Sequence, residues 1–181
     1  IDSTAILVLQ NGKFFKGIGL GYNGTATGEL CFNTSMTGYQ EIISDPSYAE
    51  QIITFTFPHI GNVGTNSDDN EALTPMATGV ITRAKPTEPS NWRNELNFDL
   101  WLERNGITGL YGIDTRALTK KVRELGAPKA IVHYNENGKH DLEFLKQKLD
   151  DWPGIKGRDL TTQINSINEQ NKNCLLYTSP S

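Results

Sequence analysis

Ser47, Asp45 and His59 are the residues of this sequence that most resemble the parts of a nucleophilic hydrolase. Ser47 lies in the tetrapeptide Asp-Pro-Ser-Tyr, and His59 follows the apolar segment 51–58. A serine hydroxyl becomes a nucleophile when a neighbouring base removes its proton. Ser47 does not lie in the G-x-S-x-G sequence of a nucleophile elbow, however. Asp45-Pro46-Ser47 is instead typical of a type I turn, with proline at its second position.

The other candidate residues have simpler structural interpretations. Cys31, between Leu30 and Phe32, is typical of a small buried residue in a strand. The segments GIGLG and GNVGTN match neither the phosphate-binding G-x-x-x-x-G-K-[ST] pattern nor a G-x-G-x-x-G turn that opens a helix. Asp114 is expected to cap a helix. The sequence therefore predicts no catalytic residue and no metal site in this chain.

Composition narrows the classes of partner. The chain has 181 residues, with 17 basic and 21 acidic residues that are well mixed along it. A nucleic-acid-binding surface would require a basic patch or stripe, so no nucleic acid partner is expected. No apolar run reaches 18 residues, and the N-terminus lacks the pattern of a signal peptide, so no membrane association is expected. Cys31 and Cys174 are too few and too far apart for a disulfide framework, which favours a cytoplasmic protein.

Strand patterns fill the first half of the chain. Asn11-Gly12 suits a type I′ turn and predicts a β-hairpin near the N-terminus. Leu30 and Phe32 share one face of a later strand, which follows a Gly- and Thr-rich connection at residues 21–28. The predicted strands of this half cover residues 5–9, 11–20, 29–34, 51–58 and 78–82.

Helical patterns begin only after these strands. The best defined starts at Asp114, whose side chain can cap the first turn while Ile113 packs onto Leu118. Gly126 and Pro128 are expected to end this helix. The predicted helices cover residues 97–106, 112–128 and 140–154, and a strand is predicted at residues 130–134. This order of elements predicts an α+β fold, or a layered β/β/α domain, rather than a doubly wound sheet.

The stretch from Asn33 to Tyr48, NTSMTGYQEIISDPSY, is predicted to be a surface loop. It contains many hydrogen-bonding side chains but only two acids, and it has no Lys, Arg, His or Cys. With the polar loop at residues 59–66, it brackets the strand predicted at residues 51–58. Two such loops without a catalytic constellation favour a binding or docking module over an enzyme.

The chain changes character near its end. Residues 1–164 are predicted to form one domain, and residues 165–173 have the polar, low-complexity composition of an inter-domain linker. Residues 174–181, CLLYTSPS, lack charge and pattern and are interpreted as a non-native tail. Cys174 lies in this tail and carries no functional argument.

Three segments carry a family resemblance: GELCFNTSMTGYQEIISDPSYAEQIITFTFPHIGNVGTN, SNWRN and GIDTRALTKKVRELGA. They occur in this order between about Ala5 and about Ile164. Over that range the chain resembles the N-terminal domain of the small subunit of glutamine-hydrolysing carbamoyl phosphate synthases. Two loop sequences in the first segment, FNTSMTGYQEI with DPSY and PHIGNVGTN, are specific, because generic turns do not have such sequences.

The resemblance implies a layered β/β/α domain of the swivelling type that packs on an amidotransferase domain and on a large subunit. In that family, the amidotransferase domain uses a cysteine and a histidine to release ammonia from glutamine. The large subunit uses ATP and magnesium to combine the ammonia with bicarbonate, which yields carbamoyl phosphate for arginine and pyrimidine biosynthesis. The implied enzyme is a cytoplasmic, heterodimeric ligase, and the domain described by this sequence would hold no cofactor of its own.

The resemblance carries over one site residue. The family's serine in the DPSY motif approaches the glutamine of the neighbouring domain, and here that residue is Ser47. Its hydroxyl can both donate and accept a hydrogen bond, which suits the amino and carboxylate groups of an amino acid. No segment resembles the amidotransferase domain, so this chain alone is expected not to hydrolyse glutamine. Two alternatives stay open: a free-standing protein-binding β/α domain, and a hydrolase that uses Ser47 and His59.

Overall fold

The computed structural model describes residues 2–57, 60, 65, 75–87 and 96–156. Its strands are β1 (Ala5–Leu9), β2 (Phe14–Gly21), β3 (Thr25–Asn33), β4 (Gln51–Phe55), β5 (Gly79–Thr82), β6 (Thr108–Tyr111) and β7 (Lys129–Tyr134). Its α-helices are α1 (Tyr39–Ser44), α2 (Phe98–Arg104), α3 (Thr115–Leu125) and α4 (Leu142–Asp151), and a 3₁₀ helix (Pro46–Tyr48) precedes β4. The predicted mixture of strands and helices is confirmed.

The strands of the described residues form one closed barrel in the order β1-β2-β6-β5-β4-β3-β7. From β3 through β4 and β5 to β6, neighbouring strands are parallel, whereas the remaining four pairs are antiparallel. Among the seven described strands, closure leaves no unpaired edge for another chain to extend. The sheet is thus a barrel, and the separate layers of the expected β/β/α arrangement stay a prediction.

Alternation along the strands separates the inside of the barrel from its outside. In β1, Ala5, Leu7 and Leu9 belong to a buried cluster that also draws residues from β3 to β7. The intervening Ile6 and Val8 pack instead against α4. The first cluster is therefore the barrel interior. Because α3 contributes side chains to the interior cluster, it covers one open end of the barrel.

Two further layers of apolar side chains cover the outside of the barrel. On one side, Leu145 and Leu149 of α4 pack against β1 and β7. On another side, α1 and α2 bury Tyr39, Phe98 and Trp101 against the outer face of β4 and β5. The Tyr39 and Phe98 rings meet edge to face, with their centroids 4.9 Å apart. The long aromatic side chains thus attach both short helices to the barrel.

Glycine in β2 makes room for a partly buried aromatic ring that packs against the interior cluster. A Cβ atom at Gly19 would lie 2.0 Å from a ring carbon of Tyr134, which is a severe overlap. Tyr134 of β7 packs against the interior cluster. The absence of a side chain at Gly19 therefore allows β2 to pass close to this ring.

The predicted end signals of the long helix are confirmed. The Asp114 carboxylate accepts hydrogen bonds from the backbone N–H groups of Arg116 (3.0 Å) and Ala117 (3.2 Å). Ile113 and Leu118 both join the interior cluster, as the predicted staple requires. Gly126 adopts a left-handed conformation, with φ of 67°, at the C-terminal end. Local capping chemistry and an apolar stripe were sufficient to define α3.

The turn of the N-terminal hairpin differs from the predicted type I′ turn. The hairpin itself is confirmed by the pairing of Val8 with Phe14. Gly12 has a φ of 84°, but Asn11 does not have the positive φ that a type I′ turn requires. The Gly12 N–H donates to the Leu9 carbonyl, and the Leu9 N–H donates to the Lys13 carbonyl. These bonds define a three-residue connection in which one glycine supplies the left-handed position.

The prediction of a plain surface loop at residues 33–48 is wrong in part. This stretch contains α1 and the 3₁₀ helix, and Tyr39 and Ile43 of α1 are buried. The Gly38 position before α1 provides no side-chain cap, so the sequence carries no local start signal. Burial of the two apolar side chains accounts for this helix.

Two smaller differences concern strands. The connection predicted at residues 21–28 is shorter, because β3 already begins at Thr25 and pairs with β7 from there. β6 was not predicted at all. Its four residues, TGLY, carry too short a pattern to indicate a strand, and only its pairing with β2 and β5 defines it.

Candidate functional site

Ser47 lies in the middle of the 3₁₀ helix, and two residues separate this helix from β4. The Asp45 carboxylate caps this helix by accepting a hydrogen bond from the Ser47 backbone N–H at 2.9 Å. The Tyr48 N–H donates to the Asp45 carbonyl at 3.0 Å, and Pro46 occupies the first helical position. The turn predicted from Asp45-Pro46-Ser47 is therefore present. It continues into one turn of 3₁₀ helix, which repeats the same backbone conformation.

The Ser47 and Tyr48 side chains face different surroundings. Ser47 is exposed to solvent, whereas Tyr48 is half-buried and packs against the apolar cluster beneath α1 and α2. Successive residues of a 3₁₀ helix point about 120° apart, so burial of the tyrosine ring directs the serine away from the core. The Ser47 hydroxyl is thus presented on the surface by a backbone that is held on its inner side.

The chain returns from this helix to the barrel through a strained residue. Glu50 has a φ of 56°, which residues other than glycine rarely adopt. Its carbonyl accepts a hydrogen bond from the Glu29 N–H at 3.2 Å. A Cβ atom at Gly28 would lie 2.6 Å from that carbonyl oxygen, so glycine permits the close approach. Such strain persists only where the surrounding structure fixes the conformation.

The described residues do not assemble the alternative hydrolase. Asp45 uses its carboxylate to cap the 3₁₀ helix rather than to orient a histidine. His59, its expected base, lies outside the described residues, as does most of the polar loop at residues 59–66. Among the described residues, no group of three or more His, Cys, Asp or Glu side chains is arranged to hold a metal ion.

Comparison with known proteins identifies the family. The family model for the carbamoyl-phosphate synthase small chain, CPSase domain, matches residues 7–132. The chain belongs to this family. Among similar curated proteins is the carbamoyl phosphate synthase small chain of Bradyrhizobium diazoefficiens, which is 54% identical over 167 residues. The small chains of Agrobacterium fabrum and Caulobacter vibrioides are 52% and 48% identical.

The coverage of these relatives is uneven. The alignments include 90% of this chain for the first two relatives and 87% for the third, but 42% of each relative's own length. The chain thus spans about two fifths of the length of the curated small chains that it matches. The family resemblance inferred from the loop sequences is confirmed.

Cys31, which the sequence predicted to be buried, is only partly buried and packs against the cluster beneath α1 and α2. Burial is the main reason that the pKa of its thiol is raised to about 12, and the nearby Glu29 carboxylate adds to the increase. The Cys31 thiol also donates to the Ile52 carbonyl, with a sulfur–oxygen distance of 3.6 Å. The reactive form of a cysteine is the thiolate. Cys31 is therefore protonated at neutral pH and is not suited to act as a nucleophile.

Nothing in the sequence indicated a pair of histidines at the Thr25 end of β3, which is the end opposite Asn33. The His133 and His140 rings meet edge to face, with their centroids 5.2 Å apart, and the Thr25 hydroxyl lies 2.9 Å from His133 Nδ1. Burial lowers the pKa of both imidazoles, and His133 lowers that of His140 further. The strand register places Thr25 opposite His133, but no sequence pattern indicated that His140 lies beside them.

No helix in the described part of the chain combines the length and apolar character needed to cross a membrane.

Proposed function

We propose that this domain is the interface and scaffold domain of a carbamoyl phosphate synthase small chain. In this proposal its partners are the amidotransferase domain of the small chain and the large chain of the enzyme. The observation that carries it is the match of residues 7–132 to the small-chain family. In this proposal the enzyme is a cytoplasmic ligase that makes carbamoyl phosphate for arginine and pyrimidine biosynthesis. The small chain supplies it with ammonia derived from glutamine. It also includes ATP and magnesium bound by the large chain, and a swivelling, layered arrangement of this domain.

The proposed role of Ser47 is to contact glutamine bound in the neighbouring amidotransferase domain. Three features support this role: the side chain is exposed, its backbone is capped by Asp45, and its hydroxyl can serve either partner of a hydrogen bond. No group in the described residues is placed to activate the hydroxyl as a nucleophile, so Ser47 acts here as a binding residue. The domain alone is proposed to be inactive toward glutamine.

The proposed contact is tested by Ser47→Ala in the full-length small chain, assembled with its large chain. Loss of a hydrogen bond to a charged group costs about 1.5–3 kcal/mol, which corresponds to a rise of roughly 10- to 150-fold in the KM for glutamine. Ammonia-dependent carbamoyl phosphate synthesis should be unchanged, because ammonia bypasses the glutamine site. Steady-state kinetics with both nitrogen donors measure the two effects.

Ser3→Ala is the matched control, since it removes a serine hydroxyl just before β1, at the opposite end of β3 from Asn33. Its KM for glutamine should equal that of the parent enzyme. Equal loss of glutamine- and ammonia-dependent activity in Ser47→Ala would show that Ser47 has a structural role. Glutaminase activity of the isolated 181-residue chain would contradict the proposed scaffold function.

A further inference from the structure

The 3₁₀ helix that presents Ser47 is joined to the end of β3 by a side-chain hydrogen bond. Asn33 is the last residue of β3, and its Nδ2 donates to the Tyr48 hydroxyl oxygen at 3.1 Å. The other side-chain atom, Asn33 Oδ1, accepts from the Ser35 N–H at 2.8 Å. Since only the oxygen can accept this second bond, the two contacts together fix the orientation of the amide.

Asn33 is itself fixed to the barrel. Its carbonyl accepts hydrogen bonds from the Thr56 N–H (3.1 Å) and the Thr56 hydroxyl (3.3 Å), and its backbone pairs with Phe55 of β4. Phe55 is fully buried. The anchor of the Tyr48 hydroxyl is therefore the closed sheet rather than a surface loop.

The capping hydrogen bonds inside the turn fix its shape but not its orientation. The bonds from Ser47 and Tyr48 to Asp45, and from Ala49 to Pro46, connect residues at most three positions apart. Such local bonds give the turn its shape, but they move with it and cannot orient it relative to the barrel. The bond between Asn33 and Tyr48 spans fifteen positions and does connect the turn to the sheet.

We propose that Asn33 and Tyr48 are positioning residues that hold the Ser47 hydroxyl at the place where it meets glutamine. This inference rests on the proposed function of Ser47. Tyr48 precedes β4 and comes directly after Ser47, so a rotation of its ring or a shift of its backbone displaces the serine. The tyrosine hydroxyl thus influences glutamine binding through Ser47 and without contact to glutamine.

Tyr48→Phe tests the proposal, because it keeps the ring that packs on the apolar cluster and removes only the hydroxyl. In the assembled enzyme, the KM for glutamine should rise about 2- to 10-fold, as expected for the loss of one neutral hydrogen bond. Ammonia-dependent activity should stay unchanged, which a general loss of structure would not allow. Tyr22→Phe is the matched control, since Tyr22 is an exposed tyrosine at the opposite end of β3 from Asn33.

Substitutions at Asn33 sharpen the test. Asn33→Ala should raise the KM for glutamine as much as Tyr48→Phe, and the double variant should be no worse than either. In Asn33→Asp, a carboxylate oxygen can accept a hydrogen bond donated by the Tyr48 hydroxyl. The KM of Asn33→Asp should therefore be closer to that of the parent than the KM of Asn33→Ala. When Tyr48 is phenylalanine, Asn33→Asp and Asn33→Ala should have the same KM for glutamine, because no hydroxyl is left to bond to the carboxylate.

The Ser47→Ala background separates the inference from the proposed function. If Tyr48 acts through Ser47, Tyr48→Phe should add no further increase in the KM for glutamine once Ser47 is alanine. A full additional increase, or no effect of Tyr48→Phe with Ser47 present, would overturn the positioning role and leave the Ser47 contact intact. An unchanged KM in Ser47→Ala would overturn both the contact and the positioning role.

Discussion

The 3₁₀ helix at Ser47 and the helix α3 begin with the same capping chemistry but differ in the residues after the cap. Asp45 and Asp114 each accept a hydrogen bond from the backbone N–H two residues later, at 2.9 and 3.0 Å. After Asp114, an apolar stripe enters the barrel interior, with Leu118 and Val122 buried. After Asp45, the 3₁₀ helix contains no fully buried residue, and Ser47 is exposed.

This difference shows that a cap fixes the backbone but does not decide what the backbone is used for. Burial of apolar side chains provides most of the stability of a helix in a protein. In α3 the cap therefore supports a helix that closes one end of the barrel. At the Ser47 helix the same cap leaves a polar side chain in a defined position on the surface, where another domain can reach it.

The largest expected effect distinguishes the buried stripe of α3 from its exposed face. Leu118→Ala should lower the free energy of unfolding by about 2–5 kcal/mol, because it leaves a cavity at the end of the barrel. Leu125→Ala is the matched control on the same helix, where the leucine is 40% exposed. Its effect should stay below about 1 kcal/mol. Equilibrium denaturation in urea measures both, and equal losses would show that α3 does not close the core.

The second prediction compares the two caps directly. Asp114→Ala should lower the free energy of unfolding by about 1 kcal/mol, as for other N-caps that are lost. Asp45→Ala should lower it less, since the 3₁₀ helix contains no fully buried residue. In the assembled enzyme, however, Asp45→Ala should raise the KM for glutamine while Asp114→Ala should not.

Asparagine provides the controls for this pair, because it caps helices about as well as aspartate. Asp114→Asn and Asp45→Asn should both behave like the parent protein. If Asp45→Ala destabilised the protein as much as Asp114→Ala and left the KM for glutamine unchanged, the distinction between the two capped segments would be lost.

The smallest effect is a dependence of stability on pH that arises at the far end of β3 from Ser47. Burial lowers the pKa of His133 and His140 in the folded protein, with Lys148 opposing protonation of the first and Lys16 that of the second. In the unfolded protein the pKa of both histidines returns to the ordinary value of about 6.5. Unfolding is therefore accompanied by proton uptake below that pH. The free energy of unfolding should therefore fall as the pH falls through about 6.5 toward the folded pKa values.

Urea denaturation at about pH 7.5 and about pH 5.5, on either side of the ordinary histidine pKa, measures this decrease, and His140→Gln should make it smaller. Between about pH 7.5 and 8.5 both imidazoles are neutral in either state, so the variant and the parent should show the same pH dependence there. A decrease of equal size in His140→Gln and the parent would place the acid-sensitive groups elsewhere in the molecule.

Local patterns accounted for much of the fold. The hairpin of β1 and β2, the strands β3, β4, β5 and β7, and the helices α2, α3 and α4 were all indicated by apolar periodicity and end signals. The elements that were missed lack such signals. α1 has a glycine where a capping side chain would stand, and β6 is four residues long. Both depend on contacts with residues that are distant in the sequence.

The candidate site divides in the same way. The Asp-Pro-Ser sequence indicated a turn at Ser47, and the sequences of the loops on either side of β4 indicated the family. The sequence could not indicate that Asn33 holds the Tyr48 hydroxyl, since fifteen positions separate the two residues. It was equally silent about the pairing of His133 with His140, whose rings meet only once β7 and the loop after it have folded.

The sequence by itself therefore determined where the chain turns, which faces are apolar and which segments can be capped, because these depend on neighbouring residues. Tertiary structure alone decided that the strands close into a barrel. It also decided that Tyr48 faces inward while Ser47 faces solvent. The physical reason is that strand pairing and burial are set by the free energy of the whole packed core. The same residues in an isolated segment would have no fixed inside or outside.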